Sequence, residues 1–297
     1  MAAERERIVG GDSASVGPQA PSAGSRRARF RVDRVSVILF IVMVVCSGVM
    51  LYPFGFMIVN SFRTENQFLT GVGFSAASWG VLFKDLPVGV ELLNSALVCT
   101  AAILLILAWS SAAGFAFAKL KFRRQGVVFI AIIGCLMVPV QSIIIPEYVN
   151  LANVHLVNNY LGAILVYAAL GTPFATFLMT VFFRGLPDEL IEAGLCDGVS
   201  YPGAFLRIAV PMAMPALATV AVLQFIQIWD DLLIGLLFLQ EPTNRTITVG
   251  LAVLSSGNVV SVPALMAGSV VSALPAVVVY LFFQRYLVRG LTMGAVR

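Results

Sequence analysis

Charge is what this chain lacks most. Asp, Glu, Lys and Arg make up only 11% of its 297 residues, against about 25% in an ordinary soluble domain. A water-soluble fold of this length needs far more charge to cover its surface, so a soluble globular enzyme is excluded. Histidine occurs once, as His155, and the lysines are Lys84, Lys119 and Lys121. None of those lysines follows a glycine, so the chain has no GxxxxGK[ST] loop to cradle ATP phosphates. Cys46, Cys99, Cys135 and Cys196 stand far apart with no CxxC pair. Metal-ligand spacing is therefore absent, and the cysteines read as small apolar packing residues. No nucleophile arrangement or acid and base pair shares one site. The chain is expected to be no enzyme and to carry no cofactor or metal of its own.

Apolar residues are what it has, at 59% of the total with a mean hydropathy of +0.94. That excludes a disordered chain and leaves an integral membrane protein. Apolar runs at 35–59, 92–118, 127–146, 160–183, 212–239 and 264–284, uncharged except for Asp230 and Asp231 in the fifth, can each cross a hydrocarbon core of about 30 Å at about 1.5 Å per helical residue. They are continuous rather than alternating, which excludes β-barrel strands. The expected fold is all-α: a polytopic membrane domain over 34–289 with six transmembrane helices. Residues 1–33 are rich in Ala, Gly, Ser, Pro and Arg and cannot offset the entropy of ordering. They read as a disordered tail, and 290–297 as a second, C-terminal tail. No small-residue cleavage site follows the first run, so no processing is expected.

Basic residues set the orientation, because basic loops stay in the cytoplasm. With the N-terminus inside, 16 of the 19 Lys and Arg residues fall on inner segments, and only Arg63, Lys84 and Arg245 fall outside. Both termini are thus expected on the cytoplasmic face of the membrane. The basic excess faces lipid head groups and requires no nucleic acid.

One inner segment, 184–211, is amphipathic. Pro187 followed by Asp188 and Glu189 predicts a helix start, and the helix should run to about Cys196. Asp197 and Gly198 signal a turn in which glycine takes positive φ; Tyr201, Pro202 and Gly203 open a second helical piece. Leu190, Ala193 and Gly194 form a narrow small-residue stripe. An interfacial helix on lipid head groups and a docking element for a cytoplasmic partner both fit. Scarce basic charge and little apolar bulk favour docking.

Polar residues inside spans are expensive and usually face the bundle interior, which nominates Asn94, Gln141, Ser142, Gln224, Gln227 and Asp230 for a solute path. Their groups suit sugar hydroxyls, and Trp229 suits stacking on a pyranose. Interhelical hydrogen bonds of about 1 kcal/mol explain such residues equally well. Asp230 and Asp231 are expected near the outer end of the fifth span. Ser110, Gly114 and Ala118 at four-residue spacing indicate close helix contact, within the chain or at a subunit interface. Pro139, Pro146 and Pro275 should kink their helices.

The 184–211 segment resembles the EAA loop of bacterial ABC importer membrane subunits, which reads Glu-Ala-Ala, three residues, Gly, nine residues, Ile-x-Leu-Pro. Glu192, Ala193, Asp197, Gly198, Ile208 and Pro211 stand in that register, with Gly194 for Ala and Val210 for Leu. Further likeness lies in Asn94 and Ser95, in GFAFAKLKF from Gly114 to Phe122, and in MVPVQSIIIPEY from Met137 to Tyr148. Pro173 and Phe174, and GLTMGAV from Gly290 to Val296, extend it. Together these resemble the carbohydrate-uptake type, the maltose-system permease (MalG) family, over about 35–297. Where that family commonly has Trp-Asn-Glu-Phe, this chain has Trp229, Asp230, Asp231 and Leu232.

The resemblance implies a division of labour. A second, related permease subunit pairs with this one as a heterodimer, an ABC ATPase dimer binds ATP and Mg beneath, and an extracytoplasmic solute-binding protein delivers a sugar. The EAA helix would seat in the ATPase, with Glu192 in a polar contact and Gly198 allowing the sharp turn; Gly290 and Gly294 would reach the ATPase from the C-terminal tail. Two alternatives remain. An ABC permease for a polyol, osmolyte or amino acid is left open by Asp230 and Asp231. A stand-alone channel or secondary transporter predicts mid-span charges and inverted repeats, and neither is visible.

Overall fold

Backbone in hydrocarbon must satisfy its own hydrogen bonds, which for open chains means helices. In a computed structural model of the chain, every regular element among the described residues is helical. The structure describes the backbone of residues 34–257 and 261–293, and side chains over 35–257 and 261–285. The expected tail 1–33 and Gly294 lie outside the described residues.

The elements run α1 (Arg34–Ser61), α2 (Glu65–Thr70), α3 (Ala77–Asp85), α4 (Val88–Lys119), α5 (Gln125–Gly134) with a 3₁₀ turn Cys135–Met137, and α6 (Val140–Asn153). Then come α7 (Tyr160–Arg184), α8 (Asp188–Cys196), α9 (Tyr201–Ala204), a π-helical stretch Phe205–Ala209 and α10 (Val210–Met212). The chain continues through α11 (Met214–Trp229), α12 (Leu233–Phe238), α13 (Ile247–Ser255) and α14 (Val262–Met293). Four helices, α1, α4, α7 and α14, are long and apolar enough to cross a membrane, and the number is six if each of two bent pairs counts as one span. Contacts divide the chain after Leu51. In the first unit the side chains of 35–51 are exposed on every side, as suits an all-round apolar helix whose solvent is lipid.

The second unit, from Tyr52 onward, is built on α4 and α7. A Cβ added at Gly114 would lie 2.7 Å from the Met179 Cβ and 2.9 Å from the Thr180 backbone nitrogen, so the two helices meet backbone to backbone. Small residues permit this approach, and van der Waals contact is what holds helices together in lipid. The expected stripe therefore serves packing inside this chain: Ser110 and Gly114 are buried and Ala118 is half-buried. At Gly171 a Cβ would fall 2.5 Å from Gln224 Oε1 and 2.6 Å from Ile106 Cδ1, which draws α11 and α4 together on α7.

Two expected spans are corrected. The run 127–146 is not one helix: α5 with its 3₁₀ turn ends before Pro139, α6 starts after it, and the two pieces bend by 98°. Pro139 lacks the donor needed to continue the ladder and disfavours helical geometry at Val138, whose ψ is 118°. Pro146, Pro173 and Pro275 lie inside helices that run on. The polar lead-in expected at 149–159 is half helix, since α6 reaches Asn153.

The run 212–239 is also broken. Its continuous part is α11, which stops at Trp229, and the piece before it, Tyr201–Met212, is bent from it by 74°. The Asp231 carboxylate accepts from the Ile234 amide at 2.8 Å, starting α12 by the side-chain competition that ends helices.

Candidate coupling loop and solute path

Local chemistry shapes the 184–211 loop. Asp188 and Glu189 occupy the first turn of α8, where the positive dipole end favours them. The helix ends after Cys196, and Gly198 takes φ +85°, the left-handed conformation that glycine adopts without strain. The Ser200 side chain then accepts from the Gly203 amide and caps α9. The turn reverses the chain so that Phe205–Ala209 packs back on α8.

The small stripe read from the sequence divides between two faces. Ile191 and Gly194 are buried with Leu195 half-buried beside them, whereas Glu189, Leu190, Glu192 and Ala193 are exposed. A Cβ at Gly194 would meet Ile208 Cδ1 at 2.6 Å, so Gly194 and Ile208 join the two legs of the loop. Pro211, at the far end, is exposed. Phe205 carries the second leg into the bundle, 5.3 Å from the Phe115 ring, which meets Phe183 edge-on at 5.8 Å. The loop is thus packed onto both long helices, with one mixed acidic and apolar face of α8 turned outward.

A residue without a role in the sequence reading ties this loop down. Lys119, the last residue of α4, donates from Nζ to the Leu186 carbonyl and to Asp188 Oδ1, each at 2.5 Å. The hydrogen bond and charge of Lys119 hold the Asp188 carboxyl below its ordinary range. A depressed carboxylate contributes its stabilisation above the ordinary pKa and loses it only as pH falls through the lowered value, so the pair is intact at neutral pH.

At the other end of α4, about 37 Å along the helix axis from Lys119 to Asn94, the nominated path residue Asn94 is committed elsewhere. Its amide donates to the carbonyls of Thr243 and Arg245, both at 2.9 Å, and its oxygen accepts from the Tyr160 hydroxyl at 2.8 Å. Ser95 accepts from the Ile247 amide at 2.9 Å. Asn158 adds to this clasp by accepting from the Gln240 amide and from Asn244 Nδ2. Asn94→Ala removes three of these bonds and is expected to destabilise the protein by about 2 kcal/mol. A lowered midpoint of thermal unfolding in detergent is the measurement, and an unchanged midpoint would contradict the clasp.

The other nominated residues are scattered. Gln141 and Ser142 are exposed in the first turn of α6. Trp229 is buried, stacked on Phe225 at 5.2 Å, and its indole donates to the Ser272 carbonyl. Asp230 is exposed at the end of α11. Gln224 and Gln227 come together with two residues not nominated, Tyr167 and Asp231, around a cavity of about 30 Å³. The Tyr167 hydroxyl donates to Asp231 Oδ1 at 2.9 Å. The cavity has room for water and none for a sugar ring. No group of three or more metal-ligating side chains occurs among the described residues.

Residues 106–293 match the family of binding-protein-dependent transport system inner membrane components. The chain belongs to this family. It is an ABC importer permease, a multi-pass membrane protein and a transport subunit. It is 34% identical over 204 residues to the arabinooligosaccharides transport system permease of Halalkalibacterium halodurans, covering 69% of this chain and 72% of that one. Likeness to the diacetylchitobiose uptake system permease of Streptomyces coelicolor is 28% over 280 residues, 92% of this chain and 93% of the relative. The osmoprotective compounds uptake permease of Synechocystis is 32% identical over 225 residues, 75% of this chain and 76% of that one. A crystal structure of a bacterial ABC transporter involved in import of the acidic polysaccharide alginate contains a chain with the same fold. The TM-score is 0.76 at 20% identity, over 86% of this permease and 98% of that chain.

Proposed function

We propose that this permease forms half of the translocation path of an ATP-driven importer for an oligosaccharide, with α8 as the helix that docks into a separate ATPase. The observation that carries this is the outward face of α8: Glu189, Leu190, Glu192 and Ala193 stand exposed on a helix whose other face is packed into the bundle. A short helix with exposed acids and small apolar residues suits a protein groove better than a lipid surface. Gly198, Ile208 and Pro211 shape the hairpin behind it.

In this reading each bent pair is one span, giving six, and both termini are cytoplasmic by the basic-residue count. Lys119 and the 184–211 loop share one face; Asn94, Asn158 and Thr243 share the opposite one. A related second permease completes the path, a solute-binding protein loads it from outside, and Gly290 and Gly294 approach the ATPase. Gln224, Gln227, Tyr167 and Asp231 line the path where it is now closed to anything larger than water. Two of the relatives named above are permeases for oligosaccharides, which supports that cargo over an osmolyte.

The test is reconstitution of the complete transporter in proteoliposomes. ATP-dependent uptake of a labelled oligosaccharide is expected, and uptake of a polyol or betaine alone would overturn the cargo. Within the same assay Glu192→Lys, which reverses the charge on the docking face, should weaken recovery of the ATPase on tagged permease at least tenfold. Undiminished recovery would count against α8 as the docking helix.

A further inference from the structure

The assignment of α8 leaves open how its movement reaches the membrane helices. Its buried face touches the second leg of its own loop. Among the described residues, an ion pair leads out of that loop and joins the last residue of α4 to the first residue of α8. The Lys119 side chain is 4% exposed and that of Asp188 is 75% exposed. A nearly buried ammonium needs its partners, because an unpaired charge out of water is costly. Both acceptors of Lys119, the Leu186 carbonyl and Asp188 Oδ1, belong to the entrance of α8.

The placement of the charges agrees with the helices that carry them. Lys119 sits where the α4 dipole is negative and Asp188 where the α8 dipole is positive, so each charge is favoured by its own helix as well as by its partner. From Lys119, one and a half turns along α4 lead to Gly114, in backbone contact with α7 at Met179 and Thr180. A displacement of α8 therefore has a continuous route into the two helices at the centre of the bundle.

We propose that the Lys119–Asp188 pair is a positioning latch, which sets the angle of α8 and transmits its movement to α4. This rests on α8 being the ATPase-docking helix. Lys119 and Asp188 touch neither ATP nor solute; they act through α8.

The experiment uses the reconstituted transporter and measures oligosaccharide taken up per ATP hydrolysed, with ATPase recovery on the tagged permease as the assembly control. Asp188→Asn and Lys119→Met are each expected to lower uptake per ATP about tenfold with the ATPase still bound. The double variant should be no worse than either single one, because one interaction is lost in all three. Lys119→Arg should restore coupling, since it keeps the charge and reach. Asp188 is exposed, so Asp188→Asn folds even if Lys119→Met does not. Unchanged uptake per ATP in Asp188→Asn would overturn the latch, as would a double variant whose loss is the product of the single losses. If Glu192→Lys loses the ATPase while Asp188→Asn stays coupled, the latch fails and the docking assignment stands. If Glu192→Lys binds ATPase normally, the docking assignment itself fails.

Discussion

Gly198→Val is expected to abolish coupled uptake while leaving the permease folded in the membrane. Gly198 holds φ +85°, and nothing lies within 4 Å of where a Cβ would point. The penalty is thus backbone strain and not a clash: about 1–2 kcal/mol for an ordinary L-residue in this conformation, and more for a β-branched one. The turn relieves that strain by abandoning the left-handed conformation, which re-aims the whole of α8. Helices α4, α7 and α11 make no use of Gly198 and remain packed. Uptake in proteoliposomes should fall at least tenfold for Gly198→Val. Gly198→Asn should stay near the parent, because asparagine tolerates the left-handed region. Full uptake by the valine variant would show that the turn does not aim the helix.

Gly114→Leu is expected to prevent folding. One of the two atoms nearest a Cβ at Gly114 is the Thr180 backbone nitrogen, which no change of rotamer can move aside. Even Gly114→Ala has to push α4 and α7 apart, at a cost of about 1–3 kcal/mol, and a larger side chain costs more. Separation of these helices also spoils the fit at Phe115 and Phe183. Thermal unfolding in detergent checks the series. Alanine should lower the midpoint by several degrees, and leucine should leave no folded species. A leucine variant that melts with the parent would refute the backbone contact.

How far the sequence could be read depended on the range of the interactions concerned. Helix α8 and its turn were legible because their causes are local: acids in the first turn, glycine after the last, and Tyr-Pro-Gly opening the next piece. The C-terminal ends of α4 and α7 were equally plain from where charge resumes, at Lys119 and Arg184. The kink expected at Pro139 is a full break of 98°, and the break at Trp229 was hidden, since a hydropathy run stays apolar across a change of direction. On α8 the sequence offered one stripe of Leu190, Ala193 and Gly194, and only the distant Ile208 decides that Gly194 faces inward while Leu190 and Ala193 face out. Asp231 rather than its neighbour Asp230 lines the cavity because Tyr167, on another helix, donates to it. The partner of Lys119 was out of reach for the same reason, standing 69 residues further on.

The two ends of α4 carry a consequence for how the protein is made. Ser95 waits for an amide 152 residues later in the chain, and Lys119 waits for a carboxylate 69 residues later. At the pace of a ribosome, about 5–20 residues per second, the helix sits in the bilayer for on the order of ten seconds with its polar termini unanswered. During that interval the insertion machinery or lipid head groups must accept what α8 and the 243–247 segment will later take over. The biogenesis of helix α4 is thus exposed to a stalled or truncated chain.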